Sequence, residues 1–152
     1  MVIRDLDSKF TECELAAVSE WVESGLPIHA MRENIHHNVP RLGAGWGASL
    51  LKDGTRELWR LTWGDILDDQ TTYSHRWMNG PDQNILTEHV RPWGQDMALQ
   101  LDSYNCEMYP GAIVFPTERK NEDQNFIAAV GAMRLWMECP EKCRRKKEWI
   151  HC

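Results

Sequence analysis

The sequence predicts an α/β fold, because strand-like apolar segments alternate with helical ones along the chain. Residues 2–5, 27–31 and 96–106 have the short apolar pattern of strands, and residues 11–25 and 121–140 have the pattern of helices. The composition is that of a globular protein, with 42% hydrophobic and 26% charged residues. A chain of 152 residues is long enough to bury one core.

The first two elements are a strand and a capped helix. Residues 2–5 are expected to form the end of a buried strand. Thr11, with Glu14 three residues later, forms the capping box that starts a helix, and Gly25 ends that helix. The residues expected to face the core lie on one side of it: Leu15, Val18 and Val22.

The middle of the chain gives weaker signals. Residues 27–31 predict a short strand, and the glycine-rich segment 38–50 predicts a loop that leads into a helical segment. Residues 56–63 fit either a helix or a strand. A short helix is expected from near Pro81 until just before Pro92.

The last third predicts a strand, a turn and a helix. Residues 96–106 fit a strand and its following turn. Residues 121–140 fit the last helix, which Pro140 follows. Its apolar positions are Phe126, Ile127, Val130 and Leu135.

The net charge of −6 argues against nucleic acid as a partner, since a broad basic surface would be expected there. It does not argue against a nucleotide, because a divalent metal can supply positive charge locally. No apolar run reaches the ~18 residues of a membrane-spanning helix, and no signal peptide is evident.

Five cysteines predict a stapled tail. Cys139, Cys143 and Cys152 lie close together in a segment that is rich in lysine and arginine. A zinc knot completed by His151 is one interpretation, and disulfides formed in an oxidising compartment are the preferred one. We therefore expect a domain at residues 1–138 and a disulfide-stapled tail at residues 139–152, with Cys13 as the free thiol.

Asp5 and Asp7 stand two residues apart at the end of the first strand. Carboxylates in this position are suited to Mg²⁺ or Mn²⁺, which in turn hold a diphosphate. A solvated turn is the simpler explanation of the three residues taken alone. A third interpretation is a phosphatase of the haloacid-dehalogenase type, in which Asp5 attacks phosphorus, Asp7 is the acid/base and "WGDILDD" is the acidic metal motif.

A series of separated motifs favours the diphosphate interpretation. "RDLDS" is followed by "EW", "HAMRE", "LGAGWG", "GPDQ", "LDSY" and "FPTERKN", in that order. The set resembles a GT-A-type, DXD-containing glycosyltransferase-like family, and the match runs from Arg4 to about Asn125. The resemblance implies the C-terminal part of a mixed GT-A sheet with flanking helices. It also implies that the N-terminal nucleotide-binding half is missing from this chain.

The resemblance also assigns residues. Asp5 and Asp7 would hold Mn²⁺ or Mg²⁺ on the diphosphate of a nucleotide sugar, and the metal would neutralise charge on the leaving group. Arg4 and Arg32 would contact phosphate. Asp82 would be the catalytic polar group facing donor or acceptor.

Further positions follow from the same motifs. Gln83 and His29 would contact substrate, Trp46 would either stack on a sugar or pack in the core, and Asp102 would be a third metal ligand. The chain departs from the family where it has Glu33 and Asn34 in place of Asp and His. It also has Leu101 where the family has a metal-binding His.

The sequence therefore predicts a metal-dependent glycosyltransferase-like protein. It would use a nucleotide-sugar donor and a glycan or polysaccharide acceptor in the Golgi or endoplasmic reticulum lumen, or outside the cell. Little activity is expected from this chain alone, with membrane contact only through an anchor upstream of it. The alternatives are the phosphatase and a non-catalytic carbohydrate-binding or interaction module.

Overall fold

The computed structural model describes residues 1–40, 45–51, 53–75, 77, 80–109, 111–119, 125–131 and 133–152. Part of the glycine-rich loop and residues 121–124 of the expected last helix therefore lie outside the described residues. The described chain is a mixed α/β structure, which confirms the predicted class.

One four-stranded mixed sheet organises the molecule. Its strands are β1 (Val2–Ile3), β2 (Ile28–Arg32), β3 (Trp46–Ala48) and β4 (Ala98–Asp102), arranged in the order β1-β3-β2-β4. β3 is antiparallel to both β1 and β2, whereas β2 and β4 are parallel. β1 is a half-buried edge strand of two residues, so the expectation of a buried strand over residues 2–5 was wrong.

Helix α1 (Glu12–Ser24) has the predicted ends. The Thr11 side chain accepts a hydrogen bond from the Glu14 amide, and Gly25 ends the helix in the left-handed conformation (φ 65°). Of the predicted apolar face, Val18 packs partly buried against the core, but the prediction was wrong for Leu15 and Val22, which are 60% and 67% exposed. The residues of α1 that are buried instead are Cys13, Glu14, Ala17 and Trp21.

Two apolar clusters cover the two faces of the sheet. On the side of α1, Cys13 and Ala17 pack with Met31 of β2 and Leu101 of β4. On the opposite side, Ile28 and Trp46 belong to a cluster of strand and helix residues that also includes Ala48, Leu86 and Val90. Since successive strand residues point to opposite faces, β2 contributes to both clusters.

The helices of the second layer follow β3. They are α2 (Asp53–Asp68), α3 (Gln70–His75), α4 (Pro81–Ile85), a π-helix (Leu86–Val90) and α5 (Arg91–Gly94). α2 settles the ambiguity over residues 56–63 in favour of helix. The prediction that helix ends before Pro92 was wrong, because Pro92 lies in the first turn of α5, where its missing N–H is not needed. In the part of the chain described, no helix is both long and apolar enough to cross a membrane.

The prediction of a last helix over residues 121–140 was wrong for the part of it that the structure describes. Residues 125–131 form turns, and Ala128 (φ 63°) and Gly131 (φ 62°) have left-handed backbone that a helix cannot contain. Val130 instead forms an isolated antiparallel bridge with Ser8. This segment therefore covers the end of the sheet as irregular chain.

Two disulfides confirm the stapled tail. Cys139 pairs with Cys152 inside the tail, and Cys106 pairs with Cys143, which fixes the tail to the turn after β4. Cys13 is the free and buried cysteine, as predicted. The zinc-knot interpretation is excluded for these four cysteines, because their sulfurs are bonded to each other.

Candidate functional site at the carboxyl edge of the sheet

Three of the four strands run in the same direction, and charged residues stand at the end of each. β1 and β2 are both antiparallel to β3, so β1 runs the same way as β2 and β4. Arg4 and Asp5 follow β1, Arg32 and Glu33 close β2, and Asp102 closes β4. Open α/β sheets bind their ligands outside the carboxyl ends of the strands. This carboxyl edge is therefore the candidate site.

A closed ion pair joins β2 to β4 at this edge. The Arg32 Nε donates to Asp102 Oδ2 at 2.6 Å, and both side chains are fully buried. The other guanidinium nitrogens donate to the Pro40 carbonyl (2.8 Å) and to Gln100 Oε1 (3.2 Å). The guanidinium also lies 3.8 Å from the centre of the Tyr109 ring. All three donor groups of Arg32 thus have partners inside the protein.

The second oxygen of Asp102 is occupied as well. Asp102 Oδ1 accepts hydrogen bonds from the backbone amides of Tyr104 and Asn105, which form the turn after β4. The carboxylate predicted to bind metal therefore acts in this structure as a turn cap and as the counter-ion of Arg32. Asp5 and Asp7 are exposed, whereas Asp102 is not.

A looser ion pair lies next to the closed one. Glu33 Oε1 is 3.9 Å from Arg119 Nη1, and both side chains are almost completely buried. Glu33 Oε2 accepts from the Ile127 amide at 2.8 Å, and Arg119 Nη2 donates to the Tyr104 hydroxyl at 2.9 Å. Burial raises the pKa of Glu33 to about 7, although Arg119 opposes the shift.

Cys13 lies against this looser pair. Its thiol donates to the Glu118 carbonyl at 3.4 Å, and Thr117 Oγ1 donates to its sulfur, also at 3.4 Å. Burial raises the pKa of the Cys13 thiol to about 12, and the negative charge of Glu33 adds to that shift. A nucleophilic cysteine needs a thiolate, which this burial disfavours, and Cys13 packs in the cluster on the α1 side of the sheet.

Unpartnered polar atoms are concentrated at the same place. Buried polar groups in native proteins almost always have a hydrogen-bond partner, so a group of exceptions indicates a place where a ligand or water binds. Within the described chain, the side-chain atoms of this edge that have no hydrogen-bond partner are Glu33 Oε1, Ser103 Oγ, Asn105 Nδ2, Arg119 Nε and Asn125 Nδ2.

A cavity of about 240 Å³ opens beside the looser pair. One wall is the start of α1 and the segment before it, residues 10–13. The other wall is formed by Glu118, Arg119 and Asn125. Two of the unpartnered atoms, Arg119 Nε and Asn125 Nδ2, thus belong to residues that line this space.

Asp5 and Asp7 lie on an exposed turn after β1. The Ser8 amide and hydroxyl both donate to the Asp5 carbonyl, which fixes the turn but leaves the carboxylates in solvent. Arg4, predicted to contact phosphate, donates to Glu14 at 3.0 Å and lies over the Phe10 ring at 4.2 Å. The metal role of Asp5 and Asp7 stays a prediction.

Another group of residues has the spacing of metal ligands. Among the described residues, Asp69, Glu88 and His89 alone form a set of three with ligand atoms within 4.8 Å of one another. Asp69, however, already accepts hydrogen bonds from the Thr71 amide and the Thr72 hydroxyl at the start of α3. Those bonds hold its pKa at about 2 and give the carboxylate a structural role.

Asp82 and Gln83 lie in another part of the molecule. They occupy the first turn of α4, which contacts α3 and the π-helix. The Asp82 carbonyl accepts the Leu86 amide, and its side chain is exposed. The structure does not bring these two residues into the buried polar cluster at the carboxyl edge.

Trp46 and His29 are buried in the interior. Trp46 lies in β3 rather than in the predicted loop, and it stacks on Trp59 with 5.3 Å between ring centres. His29 packs on Trp21 at 4.3 Å, and burial lowers its pKa to about 3, so the ring is neutral. These positions favour core packing over contact with a sugar.

Sequence reasoning missed Cys13, Arg119 and Asn125 as parts of one cluster with Glu33. Glu33 had a local signal, because it directly follows Arg32 at a strand end. Arg119 lies in "FPTERKN", which is 86 residues further on, so only the folded chain brings the two together.

Compared with family models, curated proteins and solved structures, the chain has no match. The assignment of function therefore depends on the carboxyl edge itself.

Proposed function

We propose that the protein is a glycosyltransferase-like protein of the secretory pathway that binds a nucleotide sugar through a divalent metal at Asp5 and Asp7. The proposal includes a GT-A-type origin of the sheet and a glycan as acceptor. The observation that carries it is the direction of the strands. β1 ends in the Asp5-x-Asp7 turn on the same edge at which β2 and β4 present the buried polar cluster.

The two aspartates fit a metal ion by chemistry and by exposure. Both carboxylates are in solvent, and carboxylate oxygens are the ligands that Mg²⁺ and Mn²⁺ prefer. Asp102 does not fit as the third ligand, because Arg32 and two backbone amides occupy its oxygens. When bound, the metal would neutralise the diphosphate of the donor.

Within the described residues, this chain's own contribution is to position the aspartate turn. Arg4 holds it from one side, because it donates to the Ser8 carbonyl (3.2 Å) and to Glu14 of α1. The isolated bridge between Ser8 and Val130 holds it from the other side. Two disulfides support the assignment to the secretory pathway, since such bonds persist in oxidising compartments.

A non-catalytic carbohydrate-binding module is the second candidate, and a specific observation favours it. Leu101, which stands where the family has a metal-binding histidine, is fully buried in the core beside α1. Together with the occupied Asp102, this leaves only two of the expected three metal ligands in place.

The phosphatase is disfavoured by the position of its second motif. "WGDILDD" lies within and directly after α2, with Asp65 and Asp68 exposed on that helix. An acidic metal motif at the end of a neighbouring strand would be needed, and α2 does not supply it.

Calorimetric titration of the full chain with UDP and GDP, in Mn²⁺ and in EDTA, tests the proposal. We expect the nucleotides to bind in Mn²⁺ only. The double variant Asp5→Asn/Asp7→Asn should bind them at least about tenfold more weakly, which corresponds to ~1.4 kcal/mol of binding free energy. The matched control is Asp65→Asn/Asp68→Asn, which removes two exposed carboxylates from α2. Absence of nucleotide binding, or equal binding by the two double variants, would overturn the proposal. Binding of glycans that persists in EDTA would then favour the second candidate.

A further inference from the structure

The cavity beside Arg119 contains two buried donors that the protein itself does not use. The Arg119 guanidinium is anchored at both ends, with Nη1 donating to the Glu33 carbonyl (3.4 Å) and Nη2 to the Tyr104 hydroxyl (2.9 Å). Its Nε has no partner in the described chain, and neither does Nδ2 of Asn125. The two side chains are only 3% and 5% exposed, so bulk water does not satisfy them.

Two donors without a hydrogen-bond partner favour a ligand that supplies an acceptor oxygen. Leaving such a donor buried costs about 1–3 kcal/mol, and a ligand that pairs it recovers that cost. A carboxylate, a phosphate and a neutral carbonyl all supply the required oxygen.

The charges around the cavity discriminate between these acceptors. Glu12, Glu118 and Arg119 line the cavity, so its lining carries two carboxylates and one guanidinium. An anion would meet net negative charge there, whereas a neutral carbonyl would not. The exposed Glu118 carboxylate at the cavity is a good acceptor for hydroxyl groups, which favours a ligand with hydroxyls around a carbonyl.

The rim of the cavity adds an apolar surface, and the cavity itself has the size of a small ligand. Phe10 is 64% exposed at the mouth of the cavity, and the Arg4 guanidinium holds its ring at 4.2 Å. A volume of about 240 Å³ is below the ~300 Å³ at which pockets for drug-sized ligands begin, so it suits a single sugar ring. Phe10 lies three residues after Asp7, so the cavity adjoins the proposed donor site along the chain.

We propose that this cavity is the acceptor subsite for an N-acylated sugar unit, whose acyl carbonyl accepts hydrogen bonds from Arg119 and Asn125 while the sugar ring packs on Phe10. Its role as an acceptor site rests on the proposed function. Its ability to bind the sugar does not, since neither metal nor nucleotide contributes to the cavity.

Saturation-transfer NMR on the full chain in EDTA, without nucleotide, tests the inference with N-acetylglucosamine, glucose and glucuronate. We expect N-acetylglucosamine to bind about tenfold more tightly than glucose, in keeping with one or two recovered hydrogen bonds. Glucuronate is expected to bind most weakly. Equal binding of glucose, tighter binding of glucuronate, or no saturable binding of N-acetylglucosamine would overturn the proposal.

Two variants locate the binding in the cavity. Asn125→Asp turns a donor into an acceptor at nearly constant shape and should reduce N-acetylglucosamine affinity about tenfold. Phe10→Ala should reduce the N-acetylglucosamine affinity several-fold. Because Phe10 is exposed, this variant still tests the proposal if Asn125→Asp, a change at a buried residue, prevents folding. The control is Trp136→Ala, which removes another aromatic side chain that is 67% exposed. Unchanged affinity in Phe10→Ala would contradict the assignment.

The two proposals fail in different ways. Nucleotide binding in Mn²⁺ without N-acetylglucosamine binding would overturn the acceptor subsite and leave the proposed function standing. Sugar binding without nucleotide binding would overturn the transferase proposal and support a carbohydrate-binding role for the cavity.

Discussion

Arg32 and Glu33 are neighbours in the chain, yet they form two different kinds of ion pair. Arg32 meets Asp102 at 2.6 Å, and its three donor groups have protein partners. Glu33 meets Arg119 at 3.9 Å, which is too long for a hydrogen bond, and Glu33 Oε1 and Arg119 Nε have no hydrogen-bond partner in the described chain. The closed pair excludes any ligand from its groups, whereas the looser pair borders a cavity.

The difference separates a structural role from a binding role. Buried charges are tolerated only when their hydrogen bonds are complete, which is the condition of Arg32 and Asp102. Incomplete hydrogen bonding around Glu33 and Arg119 costs stability, and the proposed ligand would recover part of that cost. Burial alone does not indicate a functional charge, whereas a buried charged side chain with an atom that lacks a hydrogen-bond partner, beside a cavity, indicates a place where a ligand or water binds.

The largest expected effect comes from breaking the closed pair. Asp102→Ala leaves the Arg32 guanidinium buried without its counter-ion and uncaps the turn after β4. We expect a loss of about 3–5 kcal/mol in the free energy of unfolding, measured by urea denaturation with the disulfides intact.

Two controls test whether the loss of stability in Asp102→Ala comes from the unpaired buried charge of Arg32. Replacing both partners, Arg32→Met with Asp102→Leu, should recover a substantial part of the loss, because no isolated charge remains. Glu57→Ala breaks the exposed pair of Glu57 with Arg60 and should leave the urea midpoint unchanged. A loss in Asp102→Ala no greater than that in Glu57→Ala would contradict the comparison.

The looser pair should titrate near neutral pH. The pKa of Glu33 is raised from 4.5 to about 7, so the fold favours its protonated form. Its stabilising contribution is full below about pH 4.5 and is lost as the pH rises through about 7, by at most ~3 kcal/mol. Glu33→Gln lacks this titration, so its stability relative to the wild type should increase between pH 5 and pH 8.

Urea midpoints of both proteins across that range measure the difference. His29 and His37 have lowered pKa values of about 3 and about 4, so their contribution is lost as the pH falls below about 6.5. The titration of these histidines opposes that of Glu33 in the pH dependence of wild-type stability. Because both proteins contain the two histidines, their effect cancels when the stability of the wild type is subtracted from that of Glu33→Gln. A pH-independent difference would show that Glu33 does not titrate in this range.

The smallest expected effect concerns Cys13. Cys13→Ala should cost about 1 kcal/mol, because the thiol makes weak hydrogen bonds and packs at the start of α1. In the native wild type at pH 8, the thiol should react with Ellman's reagent roughly a thousandfold more slowly than in urea, since its pKa is raised from 9.0 to about 12. Rapid modification of the native protein would place Cys13 in an accessible site.

Local signals predicted a substantial part of the fold. The capping box at Thr11 and the left-handed Gly25 set the ends of α1, because both act through contacts within a few residues. β2 and β4 were also predicted, and their parallel pairing puts Arg32 opposite Asp102. The stapled tail followed from cysteine spacing alone.

Features that depend on distant partners could not be predicted in this way. Glu14 is buried although it is charged, because Arg4 reaches it across ten residues, and this turned the buried face of α1 away from Leu15 and Val22. The helical period of the apolar residues between 126 and 135 was misleading, because Ile127 packs in the cluster on the α1 side of the sheet, whereas Phe126 and Leu135 pack in a separate cluster with Cys139 and Cys152. The looser pair depends on a contact over 86 residues, for which the sequence has no local signal.

The two disulfides interleave along the chain. Cys139 lies inside the loop closed by Cys106 and Cys143, while its own partner Cys152 lies outside that loop. This crossed arrangement makes every peptide bond between residues 106 and 152 part of at least one covalent ring.

A protease that cuts this segment once would therefore release nothing. The basic side chains of Arg145, Lys146 and Lys147 are exposed and offer trypsin several sites, but Cys152 keeps the cut end attached to Cys139. A cut between residues 106 and 139 leaves the two pieces joined through Cys143. The nicked chain would migrate as one species until it is reduced, so the crossed pairing preserves the integrity of the molecule after a single cut.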